Sequence, residues 1–560
     1  MQEQIRGAIV EALNTLGIEE GDFAVDHPTD KNTAADYFSN VAMVVAKQVG
    51  QAPRLIAEQL VVALRGVISQ VVNIEVAGPG FLNFYVSRDF FAEKITAARS
   101  AGRDWGKNDS WAGKKVLVEY TDPNPFKEFH IGHLFTNAVG ESIARLFMMN
   151  GADTKRVNYQ GDVGLHVACA VWGMQKLGLN ASDGLTSKDL GGAYVLGATS
   201  LKLEENVDEI RAVNKAIYDK SNDEINMLWA VGRAVSLGYF ETIYALVDTQ
   251  FDDYFFESEA GPRGKDLVLN NPKIFPESDG ARIFDGEARG LHTRVFLNKE
   301  GLPTYEAKEL ALAKLKDERF DGYDHSVIST ANEINEYFKV LLCAMNEVYP
   351  DLAAKTEHIG HGMVRLSTGK MSSRTGEVIP ALKFIDEVAS AALQKMKESS
   401  GLDDVALAQD IAIAAIKYAT LRGSIMQDST FDKERALSFE GDSGPYLQYT
   451  CARINSVLEK ADTAGVQGSA SLPPSTPYAV EKLIYQFPEV IATALAERAP
   501  HKVTTYLTEL AGAFNSFYAV EKIADSADEY APYKAAVADA VRLTLKNGLW
   551  VLGIKAPERL

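Results

Sequence analysis

Residues 114–134 read KKVLVEYTDPNPFKEFHIGHL, and this stretch decides the fold. Lys114 to Tyr120 is a short run of apolar and β-branched residues, which predicts a buried strand. After a proline-rich loop, the apolar spacing from Leu134 to Asn150 predicts a long helix, with Gly151 as its C-cap. A strand, a loop and a long helix form the first step of a doubly wound parallel sheet, in which ligands bind at the carboxyl ends of the strands. The stretch therefore predicts an α/β domain with a nucleotide-type ligand.

The turn from this loop into the helix carries a lysine and two imidazoles, at Lys127, His130 and His133. Free backbone N–H groups and the positive end of the helix dipole meet at a helix start, so a phosphate is stabilised there. Gly132 lies between the histidines and has no Cβ, which lets a flat ring approach the backbone. We predict a nucleotide site at this position.

A second cluster, GKMSSRTG at 369–376, combines glycines, cations and hydroxyl groups. Such a loop suits a polyphosphate, especially one whose charge grows as pyrophosphate departs. It is not a Walker P-loop, because Gly362 lies too far upstream and Met371 follows the lysine where Ser or Thr is required.

The string His-Ile-Gly-His occurs twice, at 130–133 and at 358–361, and only the first copy has the strand, loop and helix around it. Either pair of histidines alone is more often a capping or core pair than a functional one. The ordered combination of the first copy with the downstream cluster at 369–376 is much more specific. It resembles the arrangement of class I aminoacyl-tRNA synthetases.

The N-terminal part of the chain, residues 1–105, predicts a separate small α+β domain. Two helical patterns come first, and a strand pair joined by a Gly-Pro turn follows. The helices are predicted at Asp36–Gly50 and Pro53–Ser69, and the strands at Val71–Val76 and Phe81–Val86. Ser100 to Gly113 is predicted to be a linker.

The rest of the chain is divided by composition. A catalytic Rossmann-type domain is predicted at 113–380, with an acidic, helix-rich insertion at about 175–290. A helical connecting segment at 381–437 precedes an all-α bundle at 438–560. The apolar residues from Val503 to Phe517 recur every three or four positions, which is typical of a bundle helix.

Composition excludes several classes of protein. The 560 residues are 46% hydrophobic and 24% charged, as in soluble globular proteins, and no apolar run is long enough for a membrane span. The start of the chain has no targeting pattern, so we expect a cytoplasmic protein without a membrane partner. The net charge of −19 argues against non-specific DNA binding, although local basic patches can still recognise RNA. Three scattered cysteines predict neither disulfides nor a structural metal site.

Beyond the two motifs, the chain resembles the arginyl-tRNA synthetase family over nearly its full length. The resemblance is carried by AGPGFLNFYVS (77–87), VEYTDPNPFKEFHIGHL (118–134), RVNYQGDVG (156–164), TYEAKELALA (304–313), GPYLQYTCARI (444–454), AFNSFY (513–518) and the closing GIKAPERL. It implies ATP-dependent attachment of L-arginine to tRNA(Arg) through an arginyl-adenylate, with Mg²⁺ accompanying ATP. It also implies that bound tRNA is needed before arginine is activated, and by analogy a monomer.

The resemblance implies an ATP site at the two motifs. His130 and His133, with Gly132 against the adenosine, would stabilise the α-phosphate, and the adenine would lie against the backbone of Gly362, Met363 and Val364. In the second motif Lys370, Ser372 and Arg374 would contact the phosphates. Ser373 stands where the family has its second lysine, and relatives with such degenerate loops carry a lysine just before the first motif, as Lys127 does here. We therefore expect Lys127 and Lys370 to share the work on the phosphates.

The resemblance also implies an arginine site. Asn124 would hold the amino and carboxylate end of the amino acid, with Thr121 beside it, and Glu119, Tyr305 and Glu309 would surround the guanidinium. A carboxylate binds a guanidinium through two directed hydrogen bonds. Relatives carry aspartate where this chain has Glu309. Three alternatives remain at this stage: Glu119 as a surface charge, Tyr305 as a core aromatic and Asn124 as a turn former.

The resemblance further implies that residues 1–105 read the D-loop of the tRNA and that the C-terminal bundle binds the anticodon. Aromatic, amide and guanidinium groups are suited to RNA loops, and the candidates are Tyr446, Gln448, Tyr449, Arg453 and Arg559. The alternative for the tyrosines is packing inside the bundle.

Three other functions are compatible with parts of the pattern. A cysteinyl or methionyl enzyme fits less well, since those relatives tend to carry thiolate zinc sites. A silent tRNA-binding paralogue is favoured only by Ser373. A zinc hydrolase built on both histidine pairs lacks the neighbouring glutamate of the HExxH arrangement.

Overall fold

The computed structural model describes residues 1–28, 33–180, 182, 184–367 and 379–560. The chain divides into two compact units. The first contains residues 1–105, 454–487 and 512–544, and the second contains residues 106–453, 488–511 and 545–560.

Residues 1–105 form an antiparallel sheet packed with helices, as the sequence predicts. The strands are β1 (Val25–Asp26), β2 (Tyr37–Ser39), β3 (Val71–Ala77) and β4 (Phe81–Val86), in the order β1-β2-β4-β3. The helices are α1 (Gln2–Thr15), α2 (Val41–Val49), α3 (Pro53–Leu64) and α4 (Arg88–Ala101).

The prediction of a helix over Asp36–Gly50 is wrong in its first five residues. Tyr37 to Ser39 pair with β4, and the Asp36 carboxylate accepts a hydrogen bond from the N–H of Val86 at 2.9 Å. Pairing with a distant strand therefore overrides the local apolar spacing, and α2 begins only at Val41. Helix α4 was not predicted, and it extends into the start of the predicted linker.

The second unit is built on a parallel five-stranded sheet. The strands of the whole unit, five of which form this sheet, are β5 (Lys115–Glu119), β6 (Asp153–Gln160), β7 (Asp253–Phe256), β8 (Glu277–Ser278), β9 (Ala281–Phe284), β10 (Arg294–Leu297), β11 (His325–Ala331), β12 (Thr356–His361), β13 (Val364–Leu366) and β14 (Ser429–Phe431). The central order is β12-β11-β5-β6-β7, and every neighbouring pair is parallel. This is the doubly wound order with its reversal between β5 and β11, and it confirms the predicted Rossmann-type fold class.

Helices make up most of the rest of the described chain, and the last of them belong in part to the first unit. They are α5 (Ile131–Met149), α6 (Leu165–Lys176), α7 (Ser187–Ser200), α8 (Glu204–Asp219), α9 (Asp223–Leu246), α10 (Glu257–Asn270), α11 (Tyr305–Arg319), α12 (Asn335–Val348), α13 (Pro350–Lys355), α14 (Ala381–Ser400), α15 (Val405–Leu421), α16 (Lys433–Ala436), α17 (Gly444–Thr463), α18 (Glu481–Ile484), α19 (Phe487–Ala496), α20 (Pro500–Val520) and α21 (Ala531–Val551). The range predicted as a helical insertion, about 175–290, also contains β7 of the central sheet. None of the described helices combines the length and low charge needed to cross a bilayer.

Helix α5 is held in place by the core of the second unit. Val116, Leu117 and Val118 of β5 are fully buried, and α5 is buried on most of its faces. The helix begins at Ile131, three residues before the predicted start, because His130 serves as its N-cap. Both histidines of the first motif are thereby held at the carboxyl edge of the sheet.

Candidate active site

A cavity of about 320 Å³ opens where the order of strands reverses. It lies at the carboxyl ends of β5 and β11, the position at which doubly wound sheets bind ligands. Its walls come from both strands, from the loop after β5 and from α11. The lining residues are Glu119, Asp122, Asn124, Tyr159, Gly161, Glu257, Arg294, Tyr305, Glu306, Glu309, Ile328, Thr330, Ile334, Tyr337 and Phe338.

Four of the five residues predicted to bind arginine line this one cavity, namely Glu119, Asn124, Tyr305 and Glu309. Tyr305 is at its rim and is 54% exposed. Thr121 does not line it. Its buried hydroxyl accepts a hydrogen bond from the Asn137 side chain at 3.0 Å, and so this residue holds the loop onto α5.

Two buried carboxylates around the cavity are already neutralised by lysines of α11. Glu119 pairs with Lys316 at 2.9 Å, and Glu257 pairs with Lys308 at 2.6 Å. Removing either partner from such a buried pair would leave an uncompensated charge, which is strongly unfavourable. These pairs therefore define which acidic groups are still available to a ligand.

Glu309 is a cavity carboxylate that neither of these lysines neutralises. It forms no hydrogen bond or ion pair with any residue in the described ranges. Burial, and then the negative charge of Glu119, raise the pKa of Glu309 well above its ordinary value. A cation bound next to Glu309 would relieve this repulsion.

Asp122 and Glu257 also line the cavity, and neither was predicted from the sequence as a site residue. Asp122 has φ of 45° and accepts a hydrogen bond from the N–H of Tyr159 at 2.9 Å. Burial and the charge of Glu119 raise its pKa as well. Glu257 directly follows β7, so its place at the end of a parallel strand was a usable signal.

A close approach between Asn124 and Gly161 shapes the cavity. A Cβ on Gly161 would overlap the Oδ1 atom of Asn124. Gly161 follows β6 directly, and its missing side chain leaves the amide of Asn124 its place in the wall.

The histidine end of the site is the start of α5. The backbone N–H of His130 donates to Nδ1 of His133 at 3.3 Å, and the two rings stack with centroids 3.7 Å apart. Burial is the main cause that lowers both pKa values, to about 4 for His130 and well below the ordinary value for His133. Nδ1 of His130 is buried without a partner among the described residues. Both rings are therefore neutral at pH 7.

Lys127 supplies the positive charge at this end. Its ammonium lies 4.9 Å from the centre of the Tyr194 ring, and its charge helps to lower the pKa of His130. A Cβ on Gly132 would lie 2.9 Å from the His130 ring, so glycine is needed for this packing.

The second predicted cluster, with Lys370, Ser372 and Arg374, lies outside the described residues. The segment immediately after it is described and pairs with the first motif. The N–H of Ile131 donates to the Ile379 carbonyl at 3.1 Å, and the N–H of Ala381 donates to the Phe129 carbonyl at 2.8 Å. Ile379 and Ala381, which follow the second cluster in sequence, are therefore held at the start of α5.

The segment predicted to face adenine is held mainly through its backbone. Gly362 donates its N–H to the Ile425 carbonyl at 2.7 Å, and Met363 donates its N–H to Asp428 at 2.9 Å. Val364 begins β13 and pairs with β14. Since both N–H groups are already used, an adenine ring here would be recognised mainly by packing against this segment.

The tRNA candidates lie on and near α17 and at the chain end. Tyr449 is exposed, and the Arg453 guanidinium lies 4.8 Å from its ring centre. Tyr446 is partly buried and Arg559 is exposed. Gln448 is a correction to the prediction: it is fully buried and donates to the Lys555 carbonyl at 2.8 Å, so its side chain does not reach the surface.

No group of three or more potential metal ligands occurs in the described ranges. The three cysteines are free thiols. Nothing in the described part of the chain therefore resembles the zinc site of the alternative hydrolase.

Three family descriptions match successive parts of the chain. Residues 2–86 match an arginyl-tRNA synthetase N-terminal domain, residues 94–433 match the catalytic domain of class I (R) tRNA synthetases, and residues 447–560 match a DALR anticodon binding domain. The chain is 30% identical to the arginine–tRNA ligase of Clostridioides difficile over 579 residues, which covers 99% of each chain. It is 28% identical to that of Halothermothrix orenii over 583 residues, covering 100% of this chain and 99% of the relative. The solved arginyl-tRNA synthetase of Thermus thermophilus matches with a TM-score of 0.81 and 25% identity over all of both chains.

Proposed function

This chain belongs to the arginyl-tRNA synthetase family, and from that premise we propose that its acidic cavity binds the guanidinium group of L-arginine. The family's reaction, which this chain catalyses, is the ATP-dependent attachment of L-arginine to tRNA(Arg). It proceeds through an arginyl-adenylate and releases AMP and pyrophosphate.

The observation that carries this proposal is the unpaired carboxylate of Glu309. Lys316 and Lys308 already neutralise Glu119 and Glu257, whereas Glu309 has no hydrogen-bond or ion-pair partner in the described part of the chain. A guanidinium is planar, always charged and rich in donors, which suits it to such a position. It would donate to Glu309 while its remaining N–H groups face Glu119 and Asp122.

The other end of the substrate would lie toward the loop after β5. Asn124 would hold the amino and carboxylate groups, and Tyr305 would close the rim over the aliphatic stem. The α-carboxylate is then presented toward α5, where ATP must be attacked.

The start of α5 is proposed to bind ATP. Neutral His130 and His133 would donate N–H groups to the phosphate oxygens, and Lys127 would oppose the charge that develops as pyrophosphate leaves. The cluster with Lys370, Ser372 and Arg374 would reach the same phosphates, since the chain that follows it is tied to Phe129 and Ile131. Mg²⁺ would arrive on the phosphates of ATP, because it usually retains waters and binds through phosphate oxygens.

The tRNA is proposed to contact both ends of the chain. Residues 1–105 would read the D-loop, and residues 438–560 would bind the anticodon, with Tyr446, Tyr449, Arg453 and Arg559 at the contact. Gln448 would instead position the C-terminal segment that ends in Arg559. We also propose that the protein is a cytoplasmic monomer.

A neutral analogue tests the guanidinium site directly. Citrulline has the same length as arginine but carries an uncharged urea group. We expect pyrophosphate exchange with arginine and tRNA(Arg), and no exchange with citrulline at equal concentration. Comparable rates with both amino acids would show that the carboxylates do not select the charge.

A further inference from the structure

The second His-Ile-Gly-His string, at 358–361, forms most of β12. Unlike the first copy, this string is followed by a strand, β13, and not by a helix. In the sheet, β12 pairs in parallel with β11, so its carboxyl end lies at the same edge as the active site. Gly362 and the segment proposed to face adenine follow it directly.

The two histidines of this string point to opposite faces of the sheet, because they are three residues apart on a strand. His358 stacks on Phe338 with ring centroids 3.7 Å apart, and Phe338 lines the acidic cavity. His361 is 4% exposed and faces α5 instead.

His361 connects α5 to the adenine-facing segment through both of its ring nitrogens. Nδ1 lies 2.9 Å from the Gly362 carbonyl, and Nε2 lies 2.9 Å from the Thr136 hydroxyl. Burial lowers the pKa of His361, so the ring is neutral and carries one N–H. Since a carbonyl can only accept, that N–H is on Nδ1, and Nε2 accepts from Thr136.

Thr136 lies one turn after Gly132 in α5, so the first motif and the contact to His361 belong to the same helix. The Thr136 hydroxyl oxygen is 3.1 Å from the Gly132 carbonyl, but its single proton is donated to His361, so this contact is not a second hydrogen bond. A hydrogen-bonded link thus runs from Thr136 in α5 through His361 to Gly362. It joins the two segments between which a nucleotide must be held.

We propose that His361 is a positioning residue for adenylation, which sets the distance between the start of α5 and the segment that begins at Gly362. The inference rests on the proposed ATP site at this edge of the sheet. His361 does not contact the reacting atoms. It keeps two halves of the nucleotide site in register, and misplacement by about 1 Å can lower the rate roughly 100-fold.

The test compares His361→Phe, which removes both hydrogen bonds, with His361→Gln, whose longer amide retains an acceptor for Thr136. Pyrophosphate exchange with arginine and tRNA(Arg) gives kcat and KM for each substrate. We expect His361→Phe to lower kcat/KM for ATP roughly 10- to 100-fold and to change the KM for arginine less than about twofold. His361→Gln should recover part of the loss.

Thr136→Val removes the same contact from the side of α5, so the test still applies if His361→Phe fails to fold. It should reproduce the ATP defect, and the double variant should be little worse than either single variant. His325→Gln is the matched control, because His325 lies in the same sheet at the opposite end of β11 and should leave kcat/KM for ATP unchanged.

Three results would overturn the inference: an unchanged kcat/KM for ATP in His361→Phe or Thr136→Val, equal losses for ATP and arginine, or additive losses in the double variant. Failure of the proposed function looks different. In that case the unmodified protein itself shows no exchange with arginine.

Discussion

The acidic cavity and the start of α5 lie at the same edge of the sheet but handle charge in opposite ways. In the cavity, two lysines neutralise two carboxylates and leave Glu309 without an ion-pair partner among the described residues. At the start of α5, burial keeps two imidazoles neutral and Lys127 supplies the charge. The cavity therefore presents acidic groups to a permanently charged cation, whereas the start of α5 presents directed hydrogen-bond donors to phosphates.

The largest effect is expected at the phosphate end. Lys127→Met removes the cation beside His130 and should lower kcat of arginine-dependent pyrophosphate exchange roughly 100- to 1000-fold, as for other lost electrostatic donors. The KM for arginine should remain nearly unchanged, because the carboxylates are intact. Steady-state kinetics with Lys188→Met, an exposed lysine on α7, as the control would measure this. A defect confined to arginine binding would show that Lys127 does not act on the phosphates.

The next largest effect is expected in the cavity. Glu309→Gln exchanges the unpaired carboxylate for a neutral amide, and a lost charge-assisted hydrogen bond is worth about 1.5 to 3 kcal/mol. The KM for arginine should therefore rise roughly 10- to 150-fold, with the KM for ATP unaffected. Glu318→Gln, on the exposed side of the same helix, is the matched control. An unchanged KM for arginine would place the guanidinium elsewhere.

A smaller effect is expected from the wall of the cavity. In Gly161→Ala the new methyl group would displace the Asn124 amide. Losing one hydrogen bond to the amino acid should raise the KM for arginine roughly two- to tenfold. Gly238→Ala serves as the control, since a Cβ there meets nothing within 4 Å. The same KM in both variants would remove Asn124 from the substrate site.

The smallest effect is on stability, and here the substitution should be favourable. The pKa of Glu309 is raised in the folded protein, so ionisation of this group destabilises the fold as the pH rises through that raised value. Glu309→Gln should therefore increase the apparent melting temperature by about 2 °C at pH 8, and the gain should shrink as the pH falls toward the ordinary range of a glutamate. Thermal melts across this pH range in the absence of arginine would show it. A variant that melts lower at every pH would mean that Glu309 has an attractive partner.

Much of this arrangement was predictable from local pattern. The run before Tyr120 and the apolar spacing after Leu134 identify β5 and α5 because burial imposes those periods on the sequence. Glu119, Asn124, Tyr305 and Glu309 line one cavity, and their role in binding arginine stays a prediction.

The remainder depends on contacts between distant residues. Tyr37 to Ser39 form a strand only because β4 pairs with them, and Gln448 is buried only because the C-terminal segment lies against it. The role of Lys316 and Lys308 was invisible for the same reason: nothing local shows which carboxylate a lysine neutralises. The two His-Ile-Gly-His strings make the point most clearly, since identical residues begin a helix at 130–133 and form a strand at 358–361.

Pyrophosphate exchange, measured for all twenty amino acids with and without tRNA(Arg), tests the central claim most directly. The acidic cavity next to the proposed phosphate site predicts exchange with arginine and with no other amino acid, and only when tRNA(Arg) is present. Exchange driven by an uncharged amino acid, or its absence with arginine when the cognate tRNA is bound, would contradict the account.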